Sequence, residues 1–177
     1  MNLPNKLSLI RIFLIPLLVV ILLGGKSLTQ WNDIIALVIF IVAAITDWLD
    51  GYIARNSKQI TTLGKFLDPI ADKLLISAVF ISLVEIQRIP GWIVVIIVGR
   101  EILVTGMRSI AAAQQIIIPA SRLGKYKVGF ETAAIIILIL NLPYNLGIIS
   151  AWLAMIMAVI SGADHLVRFT KRINLEW

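Results

Sequence analysis

Apolar residues gather into long runs separated by short polar clusters, and the runs match the thickness of a lipid bilayer. A bilayer core takes about 20 apolar residues to cross as a helix. Six such stretches lie near residues 7 to 24, 33 to 55, 67 to 86, 90 to 113, 128 to 143 and 145 to 169. The pattern predicts an all-α integral membrane protein with six transmembrane helices. Asn32 and Asp33 suit the start of the second helix and Pro90 the start of the fourth, while Pro143 separates the fifth from the sixth. No polar, Pro-rich or Ser-rich linker and no internal repeat interrupts the runs, so residues 1–177 are expected to form a single domain.

The cations at and beyond the ends of the runs set an orientation. Lys6, Arg11, Arg55, Lys58, Lys65, Arg122, Lys125, Lys127, Arg168, Lys171 and Arg172 fall on one side, against Lys26 and Arg88 on the other. The positive-inside rule then places both termini in the cytoplasm. The first run follows Lys6 and Arg11 as a signal peptide would, yet no small-residue cleavage site appears before Gly24, Gly25 and Lys26, so it reads as a retained helix. Trp31, Trp92 and Tyr144 come near the outer interface, where amphipathic rings gather, although ordinary packing explains each equally well. His165, the only histidine, reads as an interface residue without chemistry.

Composition narrows the picture further. The chain is 59% hydrophobic with a mean hydropathy of +0.96, far above the roughly 45–50% apolar usage of soluble domains. Its net charge of +6 is scattered beside apolar segments rather than gathered in one run, which excludes nucleic acid as a partner and favours membrane lipids. With no cysteine there is neither a disulfide nor a thiolate metal site, and any metal must be held by oxygen or nitrogen.

Four carboxylates stand where lipid would penalise them: Asp47 and Asp50 late in the second helix, Asp68 and Asp72 early in the third. Each costs about 2.5–3.5 kcal/mol at a bilayer centre, so a strong offsetting interaction is required. At about 100° per residue, Asp47, Asp50, Gly51 and Ala54 share one arc, and Gly64, Asp68 and Asp72 repeat at every fourth place on the next helix. Two such faces can oppose each other, and four clustered negative charges repel unless cations lie among them. Hard divalent ions, Mg²⁺ or Mn²⁺, suit oxygen ligands and also accept phosphate oxygens. The competing reading is a structural ion-pair cluster with Arg55, Lys65 and Lys73. Gly51, Ala54 and Gly64 serve equally as close-packing positions or as room for a substrate.

In order these residues spell Asp47-x2-Asp50-Gly51-x2-Ala54-Arg55-x8-Gly64-x3-Asp68-x3-Asp72, eight fixed positions. The pattern resembles the signature of the CDP-alcohol phosphotransferase family without a departure. The resemblance implies a six-helix membrane enzyme of bacterial cell membranes, homodimeric, with a two-metal site facing the cytoplasm. By that resemblance Asp47, Asp50 and Asp68 hold one ion, Asp47, Asp68 and Asp72 contribute to a second, and Asp72 is the general base. Gly51, Ala54, Arg55 and Gly64, with Asn5 by analogy, line the nucleotide pocket. The donor is CDP-diacylglycerol and CMP leaves.

The second half of the chain bears on the acceptor. The fourth helix carries Gly99-Arg100-Glu101 and ends near Arg108, and the loop expected after it holds Arg122, Lys125 and Lys127. Arg108, taken as at least half-buried, needs an anionic partner. An acceptor phosphate supplies one, and Arg108, Lys125, Arg122 and Lys127 are its candidate ligands; a lipid-headgroup or stability role competes. Arg100 and Glu101 read as a structural pair. These segments, with Asn2-Leu3-Pro4-Asn5-Lys6 and the stretch from Leu63 to Lys73, are similar to the bacterial phosphatidylglycerophosphate synthases within that family, which implies sn-glycerol 3-phosphate as acceptor. By that resemblance Thr is expected where Val128 stands and Gln where Glu131 stands. Sibling enzymes using serine, inositol phosphate or phosphatidylglycerol remain open, as do an ion-coupled transporter and a noncatalytic scaffold.

Overall fold

The computed structural model describes residues 3–24, 31–57, 62–116 and 121–173, with side chains described for 9–24, 31–46, 70–116 and 121–172. All regular structure among the described residues is helical. The order is α1 (Leu3–Leu23), α2 (Asn32–Ser57), α3 (Thr62–Glu85), α4 (Gly91–Ala113), α5 (Arg122–Ile139) and α6 (Tyr144–Ile173). The expected all-α class and number of helices are therefore found. Among the described residues one helix, Tyr144–Arg172, is long and apolar enough to cross a membrane, with shorter apolar stretches at Leu9–Leu23 and Asn32–Thr46. Charges inside the remaining helices, such as Arg100 and Glu101 in α4, shorten their apolar runs.

The helices form two compact units, one of α1, α2 and α3 with Ile139–Asn141, the other of α4, most of α5 and α6. In the first, α1 packs along both α2 and α3, which touch each other much less. Its buried face is Arg11, Ile15, Leu18 and Leu22, stepping by four, three and four residues as a single helical stripe does. The matching stripes are Ala36, Phe40 and Ala43 on α2 and Ala71, Leu75, Val79 and Leu83 on α3. Two hydroxyls near these stripes are satisfied inside their own helices: Thr46 Oγ1 donates to Ala43 O at 2.7 Å and Ser82 Oγ to Ala78 O at 2.8 Å.

Arg88 fastens the far end of this unit. Its Nη2 donates to both oxygens of Asp33 at 2.9 and 2.8 Å, and Nη1 donates to Ile139 O at 2.6 Å. One guanidinium thus joins the first turn of α2 to the last carbonyls of α5, a task its planar fork of five donors suits. A residue that reads as a loop cation is a structural clamp.

In the second unit α4 packs on α6. Ala151, Ala154, Ala158, Ser161 and His165 make the buried stripe of α6, and small residues let a helix approach closely. Trp92 and Trp152 meet edge to face, ring centres 5.2 Å apart and planes at 71°. As expected, Pro90 precedes α4, its carbonyl accepting from Ile93 N at 3.1 Å, and Pro143 precedes α6, its carbonyl accepting from Leu146 N at 2.8 Å. The expected start of α5 is corrected: the helix begins at Arg122 rather than near residue 128. Ser121 is the reason, because its Oγ accepts from Gly124 N at 3.0 Å and so satisfies a first-turn donor.

Three helix ends share one closure. Gln87, Gln115 and Asn141 take left-handed backbone angles, with φ of 57°, 61° and 49°. The next residue's amide then reaches five residues back, from Arg88 N to Leu83 O and from Ile116 N to Ala111 O at 2.9 Å, and from Leu142 N to Ile137 O at 3.3 Å. This is the Schellman arrangement, which satisfies helix carbonyls that would otherwise lack partners.

Candidate active site

The aspartates lie on two neighbouring helices of the first unit. Asp47 and Asp50 belong to α2, Asp68 and Asp72 to α3. Continuing the buried stripe of α2 by alternate steps of four and three reaches positions 47, 50 and 54; stepping from Val79 and Leu75 toward the start of α3 reaches 72 and 68. By sequence spacing alone, the carboxylate positions of each helix follow from its core stripe in steps of three and four. Asp72 is half-buried, next to the fully buried Ala71. The side chains of Asp47, Asp50, Gly51, Ala54, Arg55, Gly64, Asp68 and Asn5 lie outside the described residues. Among the described residues no three His, Cys, Asp or Glu groups gather into a possible metal site, and of the four aspartates only Asp72 is described at the side-chain level.

One charge on the first core escaped the sequence reading. Arg11, counted there among the cytoplasmic loop cations, is fully buried on the stripe of α1 that packs against α2 and α3. The signal was its spacing of four and seven from Ile15 and Leu18, which places it on the apolar face.

The second unit buries a set of charges that neutralise one another. Glu101 Oε1 accepts from Arg100 Nη1 and lies 2.6 Å from Lys127 Nζ, and Lys127 Nζ lies 2.6 Å from Glu131 Oε2. Arg100 Nη2 also donates to Ser161 Oγ on α6. Relative exposures are 9% for Glu101, 3% for Lys127, 1% for Glu131 and 0% for Ser161. Three helices are thus tied by two cations and two carboxylates. Glu131 Oε1, Arg100 Nε and His165 Nε2 are buried atoms without a hydrogen-bond partner among the described residues. Gly162 admits the guanidinium stem: a Cβ there would stand 3.0 Å from Arg100 Cγ.

The four candidate acceptor cations divide. Arg108, Arg122 and Lys125 are exposed, whereas Lys127 is buried between its two carboxylates. Arg108 does not show the burial expected of it. Arg122, Lys125 and Lys127 occupy the first turns of a helix, not a loop. Lys125 and Lys127 are two residues apart, about 200° around the axis, so the helix itself turns one outward and the other inward. The expected structural pair of Arg100 and Glu101 is present. His165, expected at an interface, is 2% exposed, because it continues the small-residue stripe of α6. Asp164 and Arg168 pair one turn apart, Nε to Oδ1 at 2.9 Å.

Residues 1–161 match the family model described as CDP-alcohol phosphatidyltransferase. This chain belongs to the CDP-alcohol phosphatidyltransferase family. Among similar members, the CDP-diacylglycerol–glycerol-3-phosphate 3-phosphatidyltransferase of Bacillus subtilis (strain 168) is 39% identical over 93% of each chain. The protein of that name from Rickettsia typhi is 36% identical over 93% of this chain and 94% of its own. A probable phosphatidylglycerophosphate synthase of Mycobacterium tuberculosis is 36% identical over 98% of this chain and 84% of its own. The family match crosses both units and includes all four aspartates and all four candidate acceptor cations. As a CDP-alcohol phosphatidyltransferase the chain is a transferase of phospholipid biosynthesis.

Proposed function

We propose that this chain transfers the phosphatidyl group of CDP-diacylglycerol to sn-glycerol 3-phosphate, forming phosphatidylglycerophosphate and releasing CMP. The observation that carries the reading is the match to relatives of that name at 36–39% identity over 93% or more of this chain, together with the intact aspartate signature.

The donor set is all oxygen and suits Mg²⁺ or Mn²⁺, which Asp47, Asp50, Asp68 and Asp72 would hold as two ions. When bound, such ions neutralise the pyrophosphate and lower the charge barrier to attack on phosphorus. Asp72 takes the proton of the acceptor's primary hydroxyl as its oxygen bonds to the phosphorus next to diacylglycerol, and the bond from that phosphorus to the oxygen of CMP breaks. Gly51, Ala54, Arg55, Gly64 and Asn5 form the nucleotide pocket. Arg108, Lys125 and Arg122 bind the acceptor phosphate. Their exposure leaves them open to a soluble dianion, and charge-assisted bonds from such cations are the strong ones.

The same reading makes residues 1–177 one catalytic domain that crosses a bacterial cell membrane six times, both termini and the active site cytoplasmic, and works as a homodimer. Helix lengths of 18 to 30 residues support the crossings, being about 27 to 45 Å long. The orientation draws support from the exposed Arg122, Lys125, Arg168, Lys171 and Arg172, while Arg88 on the opposite side is committed to Asp33. Cysteines placed at Ser27 and Lys58 test it; labelling of Lys58→Cys by an impermeant reagent from outside would reverse it. A monomeric mass in mild detergent and in bilayers would remove the dimer.

The decisive experiment measures CMP release by purified protein given CDP-diacylglycerol, Mg²⁺ and sn-glycerol 3-phosphate, with serine, inositol 1-phosphate and phosphatidylglycerol as parallel acceptors. Release with glycerol 3-phosphate, lost in Asp72→Asn, is expected. Release with only another acceptor would keep the family and discard the acceptor.

A further inference from the structure

We propose that Lys127 is a positioning residue for the acceptor cations and not itself a ligand of the acceptor phosphate. This rests on the reading that Arg108, Arg122 and Lys125 bind that phosphate.

Lys127 Nζ stands 2.6 Å from Glu101 Oε1 and 2.6 Å from Glu131 Oε2, and its side chain is 4% exposed. Two of its three donor positions are taken, and a phosphate approaching the third would meet two carboxylates of its own sign. The formal charges of Arg100, Glu101, Lys127 and Glu131 sum to zero.

What the set does is mechanical. Lys127 lies in the first turns of α5, two residues from Lys125 and five from Arg122, and Glu101 is on α4, seven residues and about two turns before Arg108. With Lys127 neutralised by Glu101 and Glu131, this buried point of α5 stays seated beside α4, and the turn that carries Lys125 and Arg122 keeps its place relative to the helix that carries Arg108; an apolar pair at 127 and 131 would hold the same seat. Glu131 supplies the second charge that neutralises Lys127.

The set divides into two neutral pairs, Arg100 with Glu101 and Lys127 with Glu131. Removing one member of a buried pair harms a protein far more than replacing both with apolar groups. The test compares Lys127→Met, the double variant Lys127→Met with Glu131→Leu, and Glu131→Gln, as full chains in lipid nanodiscs, reading CMP release against glycerol 3-phosphate and CDP-diacylglycerol separately. Lys127→Met is expected to raise the KM for glycerol 3-phosphate about tenfold and to leave the KM for CDP-diacylglycerol in place. The double variant is expected to regain most of that loss, since it carries no buried unpaired charge. Glu131→Gln separates the readings by sign: a loosened seat raises the acceptor KM, whereas a lysine freed to bind phosphate lowers it. A folded double variant as impaired as the single one, a lowered KM in Glu131→Gln, or equal shifts in both KM values would each overturn the proposal. If Lys127→Met does not fold, the other two variants decide. An unmodified chain that releases no CMP with glycerol 3-phosphate would instead overturn the acceptor reading beneath it.

Discussion

The two units place their carboxylates differently along the helices. In the first, the buried positions Ala71, Leu75, Val79, Phe80 and Leu83 of α3 are apolar, and the aspartates stand late in α2 and early in α3. In the second, Arg100, Glu101, Lys127 and Glu131 sit among the packed helices and answer one another. If the aspartates hold divalent ions as proposed, their counter-charge comes from outside the chain, whereas the charges of the second unit find theirs within it. A count of charges in a membrane sequence therefore does not reveal which are available to a ligand; the partner of each has to be known.

The most severe way to probe that contrast is at the aspartates. Asp72→Asn is expected to lower CMP release about a thousandfold in folded protein, and thorough chelation of divalent ions is expected to abolish release by the unmodified chain. Activity surviving either treatment would mean that the aspartates are balanced internally, as the second unit's charges are. Next in size, Arg88→Leu strands Asp33 and is expected to cost about 1–3 kcal/mol, seen as a lower Tm in detergent with both KM values unchanged. Lys125→Ala removes an exposed, uncommitted cation and is expected to raise the KM for glycerol 3-phosphate about tenfold with little change in Tm. A loss of Tm without a change in KM would place Lys125 with the structural charges. The smallest effect is at a glycine pair: Gly162→Ala presses on Arg100 and is expected to destabilise by about 1 kcal/mol, whereas Gly99→Ala, with no neighbour within 4 Å of the added carbon, is expected to stabilise by up to about 1 kcal/mol. Thermal melts of the two variants side by side check the sign.

Much of the frame could be read before any coordinates, for definite reasons. Apolar runs of helical length, Pro90 and Pro143 are local signals, and the helices follow them closely. The aspartate spacing is likewise local, and it carried the family. Other features failed because they depend on partners distant in sequence: Arg88 finds Asp33 and Ile139, and Lys127 finds Glu101. Two signals were available and missed. Lys127 and Glu131 stand four residues apart, the spacing of a helical ion pair, which excludes the loop expected there. Ser121 ahead of Gly124 is a cap that starts α5 six residues early. The buried Arg11 was hidden by reading charge before periodicity, since its stripe continues through Ile15, Leu18 and Leu22.

The three shared helix ends carry a practical consequence. Each places an L-residue in a backbone region that costs about 1–2 kcal/mol for most side chains, less for asparagine, and glycine is the residue such ends usually take. Gln87 and Asn141 flank the bond from Arg88 to Ile139, so their replacements by glycine are expected to couple, whereas Gln115 lies in another connection. Together they offer a route to a hardier enzyme in detergent that leaves every charged residue in place.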